Sequence, residues 1–372
     1  MTKLLVFHPT IAPYRIDFFN DLSAAFNTQV CLKYWNLRDQ TFDYQSIYSR
    51  FTFRPVYLKE MFAIGERSFC RGYWTYLDRF TPDVVLTDEF GWSTMWVLLH
   101  RWIKRKKYKV VALCDDSYDM VSRQNDHSRI HRLARQWIAP KVDDIVVVEP
   151  RVEEWYRIHF QKGFFFPIIQ KDMTVRELYK EALDRSHILR SKHQLDGKRV
   201  FLFVGRLVAL KNVKTILRAF AYLNPQEYRL VVVGDGPEMA SLRDLAYQLN
   251  RDVLFTGRLE GNALYAWYLL ADVFVLASYR EAFGAVTNEA LLAGCYALVS
   301  RNAGSSCLIQ EGVNGYTFQP MDVEELAQRM RDVLQLPRVR EIDVLKESQM
   351  KISYQDCIQR LITHLRQLPH EE

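Results

Sequence analysis

Short apolar runs alternate with helically spaced apolar residues along most of the chain. In the C-terminal half, Arg199–Val204 (RVFLFV) is an unbroken apolar run of strand length, and Val213, Ile216, Leu217 and Phe220 then recur on one helical face. Arg229–Val233, Val253–Phe255, Val273–Ala277 and Tyr296–Ser300 are predicted as further strands. Met239–Leu249, Ala263–Leu270 and Glu289–Ala293 read as the helices between them. This rhythm predicts a parallel sheet with helices on both faces. Ligands of such sheets bind at the carboxyl ends of the strands, so candidate chemistry is sought just after each strand.

The N-terminal half keeps the rhythm with more aromatic interruption. Leu4–Phe7, Val30–Tyr34, Val84–Thr87, Val110–Cys114 and Ile145–Val148 are strand candidates, and Arg15–Phe26 is helical. The pattern lapses around Gly163–Pro167, and the charged, helix-like stretch Lys171–His193 is read as the linker. Near the C-terminus, Cys357, Ile358, Leu361, Ile362 and Leu365 mark a helix within Ser353–Leu368. There is no internal repeat or low-complexity tract.

At 372 residues the chain is long enough for two cores. Its 49% hydrophobic and 25% charged residues suit a folded soluble protein and exclude a disordered one. No apolar run is long enough to span a bilayer, and the opening MTKLLVFHPT reads as a buried first strand rather than a leader. The six cysteines are scattered without a CxxC pair, which fits a reducing cytoplasm and argues against a metal knuckle. The net charge of +6 suits an anionic partner.

The strand Arg199–Val204 is followed by Gly205-Arg206 and then Lys211. Gly at a strand end lets a ligand approach the backbone, Arg can fork two phosphate oxygens, and Lys adds a point charge. Two solvated cations on a loop are the plainer reading of that pair alone. After Val273–Ala277 comes Glu281-Ala282-Phe283-Gly284-Ala285-Val286-Thr287-Asn288-Glu289. Gly284, Ala285 and Val286 should open a helix whose free amides face an anion. Glu289 would lie one turn inside, placed to accept ribose hydroxyls, and Glu281 before it, placed for a sugar. The alternative is one Glu favoured by the helix dipole and one solvated Glu.

The whole string resembles the retaining GT-B glycosyltransferases of family GT4. The resemblance rests on Gly205-Arg206…Lys211, Gly234-Asp235-Gly236-Pro237, Phe255-Thr256-Gly257-Arg258, Glu281…Glu289 with Ala293-Gly294, then Gly304 and Glu311-Gly312-Val313-Asn314-Gly315. It is specific over roughly 199–330 and looser before. It implies an α/β GT-B fold: two Rossmann-like parallel-sheet domains facing each other across a cleft, with the C-terminal helix returning to the N-terminal domain. The domains would be 1–170 plus 353–372 for the acceptor, and 171–352 for the donor.

The resemblance also implies roles. Gly205, Arg206 and Lys211, with the Gly284–Val286 backbone, would hold the donor diphosphate. Glu281, Ala282 and Phe283 would hold the donor sugar, Glu289 the ribose, and Gly257 and Arg258 the base. The co-substrate would be a nucleotide-diphosphate sugar, UDP ahead of GDP, with no other cofactor. The Gly234–Pro237 turn lacks the third Gly of a dinucleotide fingerprint and reads as structural. Cys307, often acidic in relatives, reads as a small buried residue at a helix start.

On the acceptor side, Tyr14 and Arg15 follow the first strand, with a Pro-stiffened helix start as the equal alternative. Asp115 and Asp116 end the strand Val110–Cys114, and Asp88-Glu89 ends Val84–Thr87. Asp116 and Asp115 are the preferred candidates for orienting an acceptor hydroxyl; helix caps or turns explain them as well. No Asp-x-Asp motif stands in a convincing place, and with Arg, Lys and a helix start neutralising charge no metal is needed. The basic-aromatic run Arg101–Lys109 could rest on an anionic membrane surface, although such runs are often solvated helix ends. Nucleic-acid binding has no supporting motif.

The expected function is transfer of a sugar to a hydroxyl of a glycan or lipid-linked acceptor, in surface polysaccharide or glycolipid synthesis. The expected location is the cytoplasm, peripheral at the inner face of the plasma membrane. The alternatives are a non-catalytic nucleotide-sugar-binding subunit and a sugar-nucleotide epimerase. A phosphorylase would need a pyridoxal lysine and a longer chain.

Overall fold

The computed structural model describes residues 1–35, 44–64, 67–122, 129–342 and 344–368. The chain divides into two compact units, Met1–Ile169 with Tyr354–Glu372, and Gln170–Ser353. Of the C-terminal segment, residues 369–372 lie outside the described residues.

The first unit is built on β1 (Lys3–His8), β2 (Asn27–Leu32), β3 (Val56–Tyr57), a hairpin of β4 (Lys59–Ile64) and β5 (Arg67–Arg71), then β6 (Val84–Asp88), β7 (Lys109–Cys114), β8 (Asp144–Val147) and β9 (Phe164–Phe165). Its seven-stranded sheet runs β3-β2-β1-β6-β7-β8-β9, with every pair parallel. Helices on both faces bury the central strands; Leu4, Leu5, Val6 and Phe7 are fully enclosed. The order reverses between β1 and β6, opening a crevice at their carboxyl ends.

The segment Gly163–Pro167, where the sequence pattern lapses, contains β9. A two-residue edge strand is too short to show a period. The helix Tyr354–Gln367 belongs to this unit, with His364 bonded to Asp144 at 2.5 Å and stacked on Phe164.

The second unit carries β10 (Arg199–Val204), β11 (Tyr228–Val233), β12 (Val253–Gly257), β13 (Val273–Leu276), β14 (Tyr296–Ser300) and β15 (Gly315–Phe318). They form one parallel sheet in the order β12-β11-β10-β13-β14-β15. The reversal here lies between β10 and β13, the two strands that precede Gly205-Arg206 and Glu281.

Residues 171–193, read as a helix-like linker, form two helices, Asp172–Glu181 and Leu183–Lys192, that belong to this unit. Their charged surface hides a short inward stripe, with Val175 and Tyr179 buried. The Tyr179 hydroxyl donates to the Glu289 carbonyl at 2.7 Å.

Gly234 shows how tightly the loops after the strands are packed. Its φ is +146°, and a Cβ there would lie 1.8 Å from the Gly205 carbonyl oxygen. Neither the backbone angle nor the space admits a side chain. Gly234→Ala is expected to destabilise the protein by about 3 kcal/mol, read as a lower urea midpoint at unchanged slope.

Candidate functional site

The loops at the carboxyl ends of β10 and β13 bring the sequence candidates of the second unit together. Gly205 continues β10 by bonding its amide to Val233 O at 3.0 Å, and the chain then turns through Arg206. The Gly234–Pro237 turn fixes this corner: Leu207 donates to Asp235 O at 2.8 Å, and Glu238 donates back to Leu207 O at 3.0 Å. It therefore acts as a backbone clamp under Arg206. Arg206 itself is exposed, and no ion pair or hydrogen bond engages its side chain among the described residues.

A single 3-10 turn, Ala209–Lys211, then presents Lys211. Asn212 ends the turn with φ +55° and is buried. Its side-chain amide donates to Ala277 O at 3.1 Å and Pro320 O at 2.6 Å, and its carbonyl accepts from Thr215 Oγ1 at 2.8 Å. This binds the lysine loop to the end of β13. The Lys211 ammonium donates to Glu281 Oε2, which also accepts from Ser278 Oγ at 3.2 Å. Both side chains keep about a fifth of their surface open, 19% for Lys211 and 18% for Glu281.

Glu281 is held by its backbone as well. Its amide donates to Asn302 O at 3.3 Å, and its carbonyl accepts from Gly304 N at 3.2 Å. Ser305 N donates to Phe283 O at 2.7 Å, and the Phe283 ring is buried. Gly284, at φ +92°, turns the chain where a Cβ would lie 2.7 Å from Leu276 and 3.2 Å from Glu281 Cγ. The helix Val286–Leu292 begins two residues later, after Ala285.

Glu289 lies one turn inside that helix. Its Oε1 accepts from Gln170 Nε2 at 3.1 Å and its Oε2 from the Tyr268 hydroxyl at 2.9 Å. Burial pushes its carboxyl pKa up, against the downward pull of these two donors. Each oxygen still has a lone pair free for a further donor. Gly257 ends β12 and accepts from Gly234 N at 2.9 Å, whereas Arg258 is exposed and paired with Glu260. Ala282 is half-buried on the same loop as Glu281. Cys307, expected as buried, is half-buried within the 3-10 helix Gly304–Leu308, because that short turn leaves one side open.

The first unit gathers a second set of groups around the crevice between β1 and β6. Arg15 is buried, and its guanidinium donates to Asp115 Oδ1 at 2.8 Å; the Asp115 side chain is 49% exposed. Tyr14, beside Arg15, is half-buried. Asp116 is only 1% exposed and accepts from the Tyr156 hydroxyl at 2.6 Å and from Arg135 at 3.2 Å. Its other oxygen, Oδ1, lies 3.7 Å from His131 Nε2. The Asp116 side chain thus faces a buried network, while Asp115 faces outward.

Sequence reasoning noted Glu89 only as the neighbour of Asp88 and did not find His131. His131 Nε2 lies 3.6 Å from Glu89 Oε2, so the imidazole stands between two carboxylates. Glu89 has φ +43°, rare for a residue with a side chain. Its amide is held by Leu113 O at 2.8 Å and its carbonyl by Thr94 Oγ1 at 2.7 Å. Burial raises its pKa, and nearby Asp116 and Asp115 add to the rise while His131 opposes it. Asp88 is tied to Lys33 at 2.6 Å and to Ser93. Lys33, Asp88, Glu89 and His131 line a 470 Å³ cavity whose other walls include Trp92, Met95 and Trp137.

The run Arg101–Lys109 is not one surface. Arg101 is committed to Asp143 and to Lys141 O, Tyr108 is buried, and Lys109 begins β7. The exposed part is Trp102 through Lys107. Among the described residues no helix is long and apolar enough to cross a membrane, and no group of three or more His, Cys, Asp or Glu could hold a metal ion.

Residues 185–351 match the family of glycosyl transferases group 1. An uncharacterized glycosyltransferase of Methanocaldococcus jannaschii is 35% identical over 147 residues, covering 39% of this chain and 38% of that protein. A GDP-mannose-dependent alpha-mannosyltransferase of Corynebacterium glutamicum is 34% identical over 142 residues, covering 38% and 33%. The alpha-monoglucosyldiacylglycerol synthase of Streptococcus pneumoniae is 33% identical over 135 residues, covering 35% and 31%. The matched stretch thus spans well under half the length of these relatives. Among solved structures, sucrose-phosphate synthase from Thermosynechococcus elongatus superposes with a TM-score of 0.70 at 16% identity, covering 99% of both chains. Anabaena HepE in complex with UDP gives 0.69 at 15% identity, covering 100% of this chain and 98% of that one. Likeness over whole chains at such low identity shows the fold, which is GT-B.

Proposed function

We propose that this chain, whose residues 185–351 belong to glycosyl transferases group 1, is a retaining glycosyltransferase that moves a sugar from a nucleoside-diphosphate sugar to an acceptor hydroxyl. The observation that carries this reading is the Lys211–Glu281 pair beside the unengaged Arg206, at the strand-order reversal of the second sheet.

Arg206 and Lys211 neutralise the donor diphosphate, aided by the Gly205 backbone and the amides of Gly284, Ala285 and Val286. As phosphate oxygens take the ammonium of Lys211, Glu281 is freed to accept hydroxyls of the donor sugar, flanked by Ala282 and Phe283. Glu289 holds the ribose, and Gly257 and Arg258 flank the base. The bond from the sugar's anomeric carbon to the diphosphate breaks and the bond to the acceptor oxygen forms on the same face. The acceptor proton passes to the departing phosphate oxygen. The cations take the leaving charge, so the reading uses no metal.

The donor nucleotide is UDP ahead of GDP, a choice favoured by the UDP bound in the HepE structure. The Corynebacterium relative's GDP-mannose keeps GDP open. Asp115 orients the acceptor, held by Arg15 beside Tyr14. Asp116, enclosed by Arg135 and Tyr156, positions His131. A glycan or lipid-linked acceptor fits the reading, and the Streptococcus relative's name points to a lipid. The product would enter surface polysaccharide or glycolipid synthesis. The protein would work in the cytoplasm at the inner face of the membrane, with Trp102, Ile103 and the cations Lys104–Lys107 toward anionic headgroups. Each such cation contributes roughly 1 kcal/mol near the surface.

The test is nucleotide release from a panel of UDP-, GDP- and ADP-sugars. Release from one donor, abolished in Glu281→Ala, is the expected result. Tight donor binding without turnover under any acceptor would replace this reading with a non-catalytic binding subunit.

A further inference from the structure

The first unit carries an apolar hollow lined by two of its helices. The helices Trp92–Ile103 and Arg129–Ile138 enclose a 720 Å³ cavity walled by Met95, Trp96, Leu98, Leu99, Trp102 and Trp137. Its polar members, Arg101 and Lys141, are both cations. Trp102 is 77% exposed and Trp137 59%, and Ile130 and Leu133 on the second helix are also exposed. So much apolar surface in one place on a folded chain marks a binding face. Met95 and Trp137 are shared with the 470 Å³ cavity that ends at Asp88, Glu89 and His131. The two hollows therefore adjoin at these side chains; taken together as one path, they run from an apolar end to a carboxyl-imidazole end.

We infer that this path seats an amphiphilic acceptor, its hydrocarbon chain between the two helices and its hydroxylated head at Glu89 and His131. The inference rests on the sugar-transfer reading and names the substrate class for it. Two features select a lipid over a second protein. The rim is cationic, through Lys141 and the exposed Lys104, Arg105, Lys106 and Lys107, which suits a phosphate-bearing headgroup. A protein surface would also cover Trp102 and Trp137 without using the continuation to Glu89. The groups facing Glu89 are His131, Asp116 and Asp115, so a donating hydroxyl finds acceptors on one side and an imidazole on the other.

The experiment uses dodecyl maltoside brominated on its alkyl chain, below its micelle-forming concentration, as a quencher of tryptophan fluorescence in the full chain. Saturable quenching is expected, and competition by unbrominated alkyl maltosides should tighten about fourfold per added methylene. From octyl to dodecyl the gain would be on the order of 100-fold. Trp137→Ala is expected to weaken binding about tenfold. Leu99→Gln serves as a second variant, and circular dichroism verifies that each folds.

Competition indifferent to chain length, or quenching intact in both folded variants, would overturn the inference. A concentration-dependent dimer abolished by Trp102→Ala, with no chain binding, would assign the face to a second copy instead. Binding of UDP, GDP and ADP to the wild type, followed by calorimetry, tests the donor reading separately. Chain binding with none of the three nucleotides bound sinks the sugar-transfer reading, and nucleotide binding without chain binding sinks only the acceptor class.

Discussion

Lys211→Ala is expected to lower the turnover number for sugar transfer by roughly 10²–10³-fold, with a much smaller change in the donor's KM. Lys211 sits on a turn tied to β13 through Asn212, so its ammonium is positioned before any donor arrives. Such preorganisation matters most where charge grows during the reaction, on the departing phosphate. A ground-state contact would shift KM and turnover differently: loss of uniform binding raises KM alone. Lys211→Arg should recover little, because the planar fork cannot occupy the place of a compact ammonium against Glu281. Circular dichroism and the urea midpoint should stay close to wild type, since both partners are partly solvated and such pairs contribute little to stability. Turnover within tenfold of wild type in a folded Lys211→Ala protein would remove the lysine from the leaving-group role.

The positions of the candidate residues on the second unit were largely legible in the sequence because they follow strands directly. RVFLFV and YALVS are full apolar runs, and their bounds, Arg199–Val204 and Tyr296–Ser300, coincide with β10 and β14. Gly205-Arg206 then falls at the carboxyl end of β10, and Glu281–Glu289 follows β13, expected as Val273–Ala277 and found as Val273–Leu276. Glu89 and His131 were not legible in the same way. Glu89 follows a strand, but what marks it is its left-handed backbone, and no residue type signals that here as a glycine would. His131 lies on a helix that mixes arginines with Ile130, Leu133 and Trp137, where one histidine carries no local signal. It meets Glu89 only because β6 and that helix come together in the tertiary fold.

The stretch 171–193 was read as helical, but its packing into the second unit was missed for a related reason. Much of the surface of its two helices is charged, and their buried residues are Val175, Tyr179 and Ser186, too sparse an apolar stripe to stand out as a period. The Gly234–Pro237 turn was read as structural, and its backbone bonds to Leu207 give that reading a specific content: it holds the Arg206 corner.

Glu289→Gln should separate what burial does to this carboxyl from what a ribose asks of it. Burial raises the folded-state pKa above the unfolded value of about 4.3, so the folded protein holds this proton more tightly. The resulting stability is fully present below the unfolded pKa and is lost as pH rises through the raised one. The glutamine keeps the shape and one acceptor oxygen, with its NH2 standing where the protonated carboxyl has its O–H, but it cannot ionise. Its urea midpoint, compared with wild type, is therefore expected to improve as pH rises from the unfolded pKa through the raised one, and to level off above it.

Nucleotide binding should move the opposite way. Ribose hydroxyls donate better to a carboxylate than to a neutral amide, so UDP should bind about tenfold more weakly to Glu289→Gln at pH 8. In the wild type, UDP affinity should fall as pH drops through the raised pKa, because the bound hydroxyls favour the ionised form. The variant should lack that component of the pH dependence. A stability difference flat in pH would mean the ionised carboxylate is fully compensated by Tyr268 and Gln170. Equal UDP affinity at pH 8 would mean that Glu289 serves the fold and leaves the ribose to other groups.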